Sequence, residues 1–301
     1  MFKKIKPWIS AFRLRTLPLS VSGIIIGACL AHHNGAFNGY IFTFAILLTI
    51  SLQILSNLAN DYGDGVKGTD NETRVGPERA IQSGAISEKE MLLGIKNNIL
   101  IVVGLSVALI YMSFGVSHLL LSLLFFVLAG LSIYAAISYT VGESAYGYRA
   151  LGDLFVLIFF GFVSVCGSYI LFAKQIDHHV FLPSISLGLL SVGVLNLNNM
   201  RDIDTDKVSG KITLAVKLGK QRAKYYHYFL IGSAIVVSAL FGILYFSSFT
   251  NLLFCIAYIP LILHLFKIKK AVQPHDFDSQ LKVLALSTFL FSVLLGIGYI
   301  L

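Results

Sequence analysis

Residues 40–64 read YIFTFAILLTISLQILSNLANDYGD, with no Asp, Glu, Lys or Arg until Asp61 and then two carboxylates within one helical turn. An α-helix crosses the bilayer core with about 20 apolar residues, and this run supplies them. Its hydrophobicity is continuous rather than alternating, which excludes a transmembrane β-barrel. Charge-free stretches recur over 16–60, 97–142, 154–173, 178–200, 225–266 and 283–301. At about 20 residues per span they hold two, two, one, one, two and one helices. The pattern predicts an all-α integral membrane protein, a bundle of nine transmembrane helices around a central cavity, built as a single polytopic domain over 1–301. The spans are expected at 17–33, 40–60, 92–114, 117–138, 152–173, 181–200, 227–246, 250–266 and 282–301. Composition agrees: the 301 residues are 56% hydrophobic and 13% charged, with mean hydropathy +0.79. Soluble domains carry about a quarter charged residues.

Orientation follows from the basic residues in short loops. With the N-terminus in the cytoplasm, all of the 23 Lys and Arg except Lys174 fall on the inner side. The net charge of +8 therefore reads as topology plus contact with anionic lipid or phosphate, and loops this short exclude a nucleic-acid partner. The chain starts with a basic segment and an apolar run ending in Cys29, like a signal peptide, but an uncleaved first span preserves the charge bias and is preferred. Cys29, Cys166 and Cys255 lie in apolar runs without metal-like spacing and read as packing residues.

The stretch quoted above has an echo. Residues 198–206 read NNMRDIDTD and also close an apolar run at the inner side, four spans later. Here Asn198, Asp202 and Asp206 are spaced by four, as are Asn60 and Asp64 in the first string, with Gly68 where a third acid would fall and Asp70 two residues on. On a helix, residues four apart share a face, so each string forms a polar stripe, with Asn57 and Asp61 on the adjacent stripe. The placement is that of a duplicated bundle enclosing one cavity. Carboxylate and amide oxygens are the hard ligands Mg²⁺ takes while keeping waters and bridging to phosphate. Acids cost about 3 kcal/mol each at the centre of a membrane helix and less at its edge, so their recurrence needs a reason beyond solvation.

Lys67, Arg74, Arg79, Arg201, Lys207 and Lys211 stand beside these acids and suit the non-bridging oxygens of a diphosphate and its stabilisation as it departs. A third inner loop carries Tyr139, Tyr146, Arg149 and Asp153. Its tyrosines fit either an interfacial belt or the lining of a site for a cationic intermediate, and Arg149 and Asp153 are spaced to pair. The pairs His32-His33 and His178-His179 fall on the outer side and read as surface residues.

Four segments together resemble the UbiA superfamily of intramembrane prenyltransferases across essentially the whole chain: RLRTLP at 13–18, NDYGD at 60–64 running on to Asp70, RVGPERAIQSG at 74–84, and NNMRDIDTD at 198–206 continuing through Lys211 and Thr213. The third segment is similar to the branch of that family acting on 1,4-dihydroxy-2-naphthoate in menaquinone biosynthesis. Two departures concern the third loop: Val141-Gly142-Glu143 replaces a common Gly-Gly-Pro, and a lysine often found near Glu143 is absent. The resemblance implies that Asn60, Asp61, Asp64, Asp70, Asn198, Asp202 and Asp206 bind two Mg²⁺ ions, with Asp64, Asp202 and Asp206 as the catalytic centre. It implies diphosphate binding by Lys67, Arg74, Arg79, Arg201 and Lys211, and lining of the acceptor or cation by Tyr139, Tyr146, Arg149 and Asp153. The implied reaction joins the prenyl group of polyprenyl diphosphate to 1,4-dihydroxy-2-naphthoate with loss of CO₂ and diphosphate, in the cell inner membrane with the site facing the cytoplasm. The alternatives are another acceptor, such as 4-hydroxybenzoate, chlorophyllide or haem, and a secondary transporter. Transport would place ionisable residues near the bilayer midplane, and the charge-free runs supply none there.

Overall fold

A computed structural model describes residues 5–69 and 76–301. Among the described residues nine helices are long and apolar enough to cross a membrane: α1 Ile5–His33, α2 Gly39–Val66, α3 Glu88–Phe114, α4 Leu119–Ser138, α5 Gly152–Ala173, α6 His178–Arg201, α7 Leu214–Leu244, α8 Phe249–Lys270 and α9 Pro274–Ile300. The chain is a multi-pass membrane protein. Hydrocarbon offers no partners to backbone N–H and C=O groups, so each segment satisfies its own by coiling. Exposed Leu119, Leu120, Leu123 and Val127 give α4 a lipid-facing surface, and Ser122 and Ala135 are its buried positions.

Several helices run further on the motif side than hydropathy indicates, α1, α3 and α8 among them. The second continues to Val66 rather than 60, the seventh starts at Leu214 rather than 227 but is interrupted at Gly219, whose φ of 75° and ψ of 165° are non-helical, and the ninth starts at Pro274 rather than 282. Caps, not polarity, set these ends: Thr213 Oγ1 accepts from Val216 N–H, and Asp276 accepts from the Gln273 N–H at the start of α9. Asn60, Asp61 and Asp64 are consequently helical.

Two spans are irregular where they meet the interior. In α1 the helix breaks at Arg13, whose φ of 48° and ψ of 58° are left-handed. Asn57 of α2 holds this break by donating to Phe12 O at 2.9 Å and Thr16 Oγ1 at 3.2 Å. Within α5, residues Leu157–Gly167 form a π-helix. Small residues then let helices approach: a Cβ on Gly161 of α5 would stand 2.7 Å from Ser184 O and 3.0 Å from Gly188 Cα on α6.

A polar joint ties the last three spans. His264 Nδ1 lies 3.3 Å from Gln280 Oε1, and the Nε2 atoms of His227 and His264 are 2.8 Å apart. With Gln280 Oε1 accepting, His264 carries its proton on Nδ1 and receives one from His227 Nε2. The three cysteines are free. The spans enclose a cavity of 1130 Å³ lined from α1, α2, α3, α4, α5, α6 and α9.

Gly161→Ala should lower the thermal midpoint of the protein in detergent by several degrees, since overpacking against backbone costs about 1–3 kcal/mol. Gly104→Ala on α3, where nothing lies within 4 Å, should leave it unchanged. Equal midpoints for the two variants would show that the α5–α6 contact is not tight.

Candidate active site

The two acidic strings meet. The last turns of α2 present Asn60, Asp61 and Asp64, and the end of α6 presents Asn198, Arg201 and Asp202. The ladder in the second string is not one continuous helix: α6 ends at Arg201, Asp202 takes φ −97° and ψ 9°, and a short helix, Ile203–Val208, carries Asp206. The i to i+4 bonds survive the bend, with Asp202 N–H to Asn198 O at 3.2 Å and Asp206 N–H to Asp202 O at 2.8 Å. A turn then lets Lys211 N–H reach Asp206 O at 2.8 Å. This returns the Lys211 ammonium to a point 3.7 Å from Asp64 Oδ2 and 3.8 Å from Asp206 Oδ1, joining the two strings.

The third loop completes the pocket on the first string. Tyr148 OH donates to Asp64 Oδ1 at 2.8 Å and lies 2.7 Å from Thr69 Oγ1. Thr140 Oγ1 contacts Ala59 O at 3.1 Å and Asn60 Oδ1 at 3.2 Å. Lys67 donates at 2.8 Å to the carbonyls of both Thr140 and Gly142, with its ammonium 4.3 Å from the Tyr148 ring centroid, so it fastens this loop instead of facing the cavity. Arg149 forms a bridge with Ile212 and its guanidinium takes Ser144, not Asp153. Asp153 is buried and bonded to Tyr226 of α7.

Of the remaining expected residues, Asn60, Asp61, Asp64, Asn198, Arg79, Arg201, Lys211, Tyr139 and Tyr146 lie on the cavity wall. Asp202 and Asp206 stand behind Arg201 and Lys211, while Arg149 and Asp153 are off the wall. Asp70 and Arg74 lie outside the described residues. Asp61 turns sideways: its Oδ2 accepts from Ala80 N–H at 3.1 Å and its Oδ1 from Ile81 N–H at 3.3 Å, which anchors the segment after the first string.

Burial and charge explain the electrostatics. Burial pushes the Asp206 carboxyl up to about 7 against the pull of Lys211, and neighbouring Asp202 and Asp64 add to the rise. Burial alone would depress Lys211, yet Asp64 and Asp206 hold it charged and well above its usual range. Tyr139 is raised to about 12, chiefly by burial. Asn60, Asp64 and Asn198 on the wall, with Asp202 and Asp206 behind it, supply a hard, anionic donor set whose mutual repulsion a divalent cation would relieve. Among the described residues the group of three acidic or imidazole side chains whose ligand atoms all lie within 4.8 Å of one another is Asp177, His178 and His179, at the opposite end of the bundle, where both imidazoles contact Asp177 Oδ1; Asp64, Asp202 and Asp206 are not drawn that close. The second histidine pair is therefore carboxylate-bound as well as exposed.

Below the acids, Tyr139 and Tyr146 meet edge to face at 5.3 Å, Tyr146 stacks on Phe155 at 3.9 Å, and Phe159 continues the aromatic wall. Several site residues went unselected in the sequence reading. Arg13 and Arg15 line the cavity from inside the quoted RLRTLP segment, while Tyr148, the third tyrosine of its loop, reaches Asp64 from off the wall. Asp278, in a chain with 15 acidic residues, had scarcity as its signal.

The chain matches the UbiA prenyltransferase family over residues 20–294. It is 41% identical over 301 residues to a 1,4-dihydroxy-2-naphthoate octaprenyltransferase of Haemophilus influenzae, covering 98% of this chain and 96% of that one. An enzyme of the same name from Escherichia coli is 42% identical over 255 residues, 84% of this chain and 82% of that one. A solved UbiA homologue of Archaeoglobus fulgidus bound to GPP and Mg²⁺ shares the fold, with a TM-score of 0.64 at 14% identity over 95% of this chain and 99% of that one. The chain belongs to the UbiA prenyltransferase family.

Proposed function

We propose that this protein transfers a polyprenyl group from polyprenyl diphosphate to 1,4-dihydroxy-2-naphthoate, releasing diphosphate and CO₂ and giving demethylmenaquinol, the reduced form of demethylmenaquinone. The observation that carries the reading is a cavity of 1130 Å³ with an apolar, aromatic interior and a mouth formed by both acidic strings. Such a cavity suits a substrate with a greasy tail and a polyanionic head. Relatives above 40% identity that bear the naphthoate enzyme's name support the choice of acceptor. The protein works in the cell inner membrane with this mouth toward the cytoplasm, as the basic loops indicate.

The hard donor set fits Mg²⁺, which Asn60, Asp64, Asn198, Asp202 and Asp206 would hold and which would neutralise the diphosphate as a leaving group. Asp61 serves by anchoring residues 80–81. Lys211, Arg201 and Arg79 face the cavity and take up negative charge as the allylic C–O bond breaks. The Tyr139, Tyr146 and Phe155 faces stabilise the allylic cation, while the apolar wall keeps out water that would quench it. Arg13 and Arg15, across the mouth, supply positive charge for the acceptor carboxylate. The electron-rich ring attacks the cation and its carboxylate leaves as CO₂.

Purified protein given 1,4-dihydroxy-2-naphthoate, octaprenyl diphosphate and Mg²⁺ should form demethylmenaquinol, read by mass spectrometry as the quinol or, after oxidation in air, as demethylmenaquinone. Asp64→Ala and Asp202→Ala should each lose about 100-fold or more of that rate while remaining folded. Product from 4-hydroxybenzoate in place of the naphthoate would reassign the acceptor, and near-normal rates in either variant would sink the site.

Stability should separate anchoring from chemistry. Asp61→Ala strands two backbone N–H groups and should cost about 1–3 kcal/mol, seen as a lower thermal midpoint. Asp64→Asn keeps an acceptor for Tyr148 and leaves Lys211 paired with Asp206, so it should change the midpoint less than Asp61→Ala does. The reverse order would show that the two roles are exchanged.

A further inference from the structure

The Arg201 guanidinium is almost fully enclosed, its side chain 1% exposed, and it is held by more than the second acidic string. Its Nε and Nη2 donate to the two oxygens of Asp202, both at 2.7 Å, and Nη2 also reaches Asn198 Oδ1 at 3.0 Å. Its Nη1 donates at 2.5 Å to Asp278 Oδ1. Asp278 belongs to neither string. It sits on the second turn of α9, lines the cavity, and has a side chain 38% exposed.

One buried guanidinium needs one countercharge, and here it has two. The surplus matters because Asp202 has both oxygens on Arg201, so it can turn toward a metal ion only by leaving that pair. Without Asp278, its departure would strand a buried, uncompensated cation, which is far more costly than losing a surface pair. With Asp278 in place, Arg201 stays paired on one side while Asp202 leaves on the other. Because Asp278 faces the cavity, Arg201 also remains at the wall where a leaving diphosphate would sit.

We propose that Asp278 is a positioning residue, the counter-ion that retains Arg201 so that Asp202 is free to ligate the metal. This rests on the reading of the second string as a metal site. It assigns Asp278 a role through Arg201, not as a ligand itself.

The test uses the full chain in nanodiscs, with Mn²⁺ as a spin probe titrated by electron paramagnetic resonance and Mg²⁺ activation of prenyl transfer measured alongside. Asp278→Asn should weaken Mn²⁺ binding about ten-fold or more and raise the Mg²⁺ needed for half-maximal rate by a similar factor. The rate at saturating Mg²⁺ should recover most of its value, and Asp278→Glu should restore binding. In an Arg201→Gln background Asp278→Asn should change nothing further, because the cation it retains is gone. Arg201→Gln alone should bind Mn²⁺ at least as tightly as the parent, a check that holds even where Asp278→Asn fails to fold. Unchanged Mn²⁺ affinity in Asp278→Asn would overturn the proposal. So would an equal loss in both backgrounds, which would make Asp278 a ligand. A parent protein that binds no Mn²⁺ would instead overturn the metal reading beneath it.

Discussion

Lys211, its side chain 12% exposed, lies 3.7 Å from Asp64 and 3.8 Å from Asp206, and this pair of contacts joins segments that lie four spans apart in sequence. Charges at a membrane rim are tolerated only when compensated, so the position of this ammonium constrains everything near it. The carboxylates around it need its charge, and it needs theirs to remain protonated in a buried place. The third loop closes on the same centre through Tyr148, whose hydroxyl takes Asp64 and whose ring lies 5.5 Å from the Lys211 ammonium. The mouth is thus a compensated charge cluster set on an apolar bundle.

Beneath the mouth the demand reverses. An allylic cation survives only where water is absent, and the cavity wall runs from Tyr139 through Tyr146 and Phe155 to Phe159, with no carboxylate among them. The π-helical turn in α5 begins just past Phe155 and includes Phe159, Phe160 and Val163 on that wall. Local widening of a helix re-aims its side chains, and π segments are frequent where a helix faces a site. The third loop serves both regions: Thr140 and Tyr148 meet the first string, while Tyr139 and Tyr146 open the aromatic wall that Phe155 and Phe159 of α5 continue.

The spans were legible because bilayer thickness imposes a length on each apolar run, and the acidic strings were legible because acids are scarce in this chain. Orientation of individual side chains was not. Asp61 and Asp64 are one turn apart on the same helix end, yet one caps the Ala80–Ile81 backbone while the other faces Lys211. Lys67 was expected at a diphosphate and instead fastens Thr140 and Gly142. Such choices depend on loop packing between distant segments, which spacing within one string does not encode. Asp278 was missed for a related reason: it reaches the site from the ninth span through Arg201, with no local pattern around it.

The inequality of the two strings has a backbone cause. In the first, Gly68 occupies the position of a third acid and has φ +69°, a left-handed value that ends α2 and that a β-carbon would strain. The second string bends at Asp202 without a left-handed residue and restarts as a helix, which leaves room for Asp206. The same contrast shows in what holds each leading acid. Asp64 keeps a neutral hydroxyl on one oxygen and an ammonium at 3.7 Å from the other, neither of them a two-pronged charge-assisted contact. Asp202 is clamped through both oxygens by a buried guanidinium, a charge-assisted fork that is among the strongest side-chain pairings. A donor held that tightly is available to a metal only if its partner has somewhere else to turn, and within this bundle Asp278 is that place.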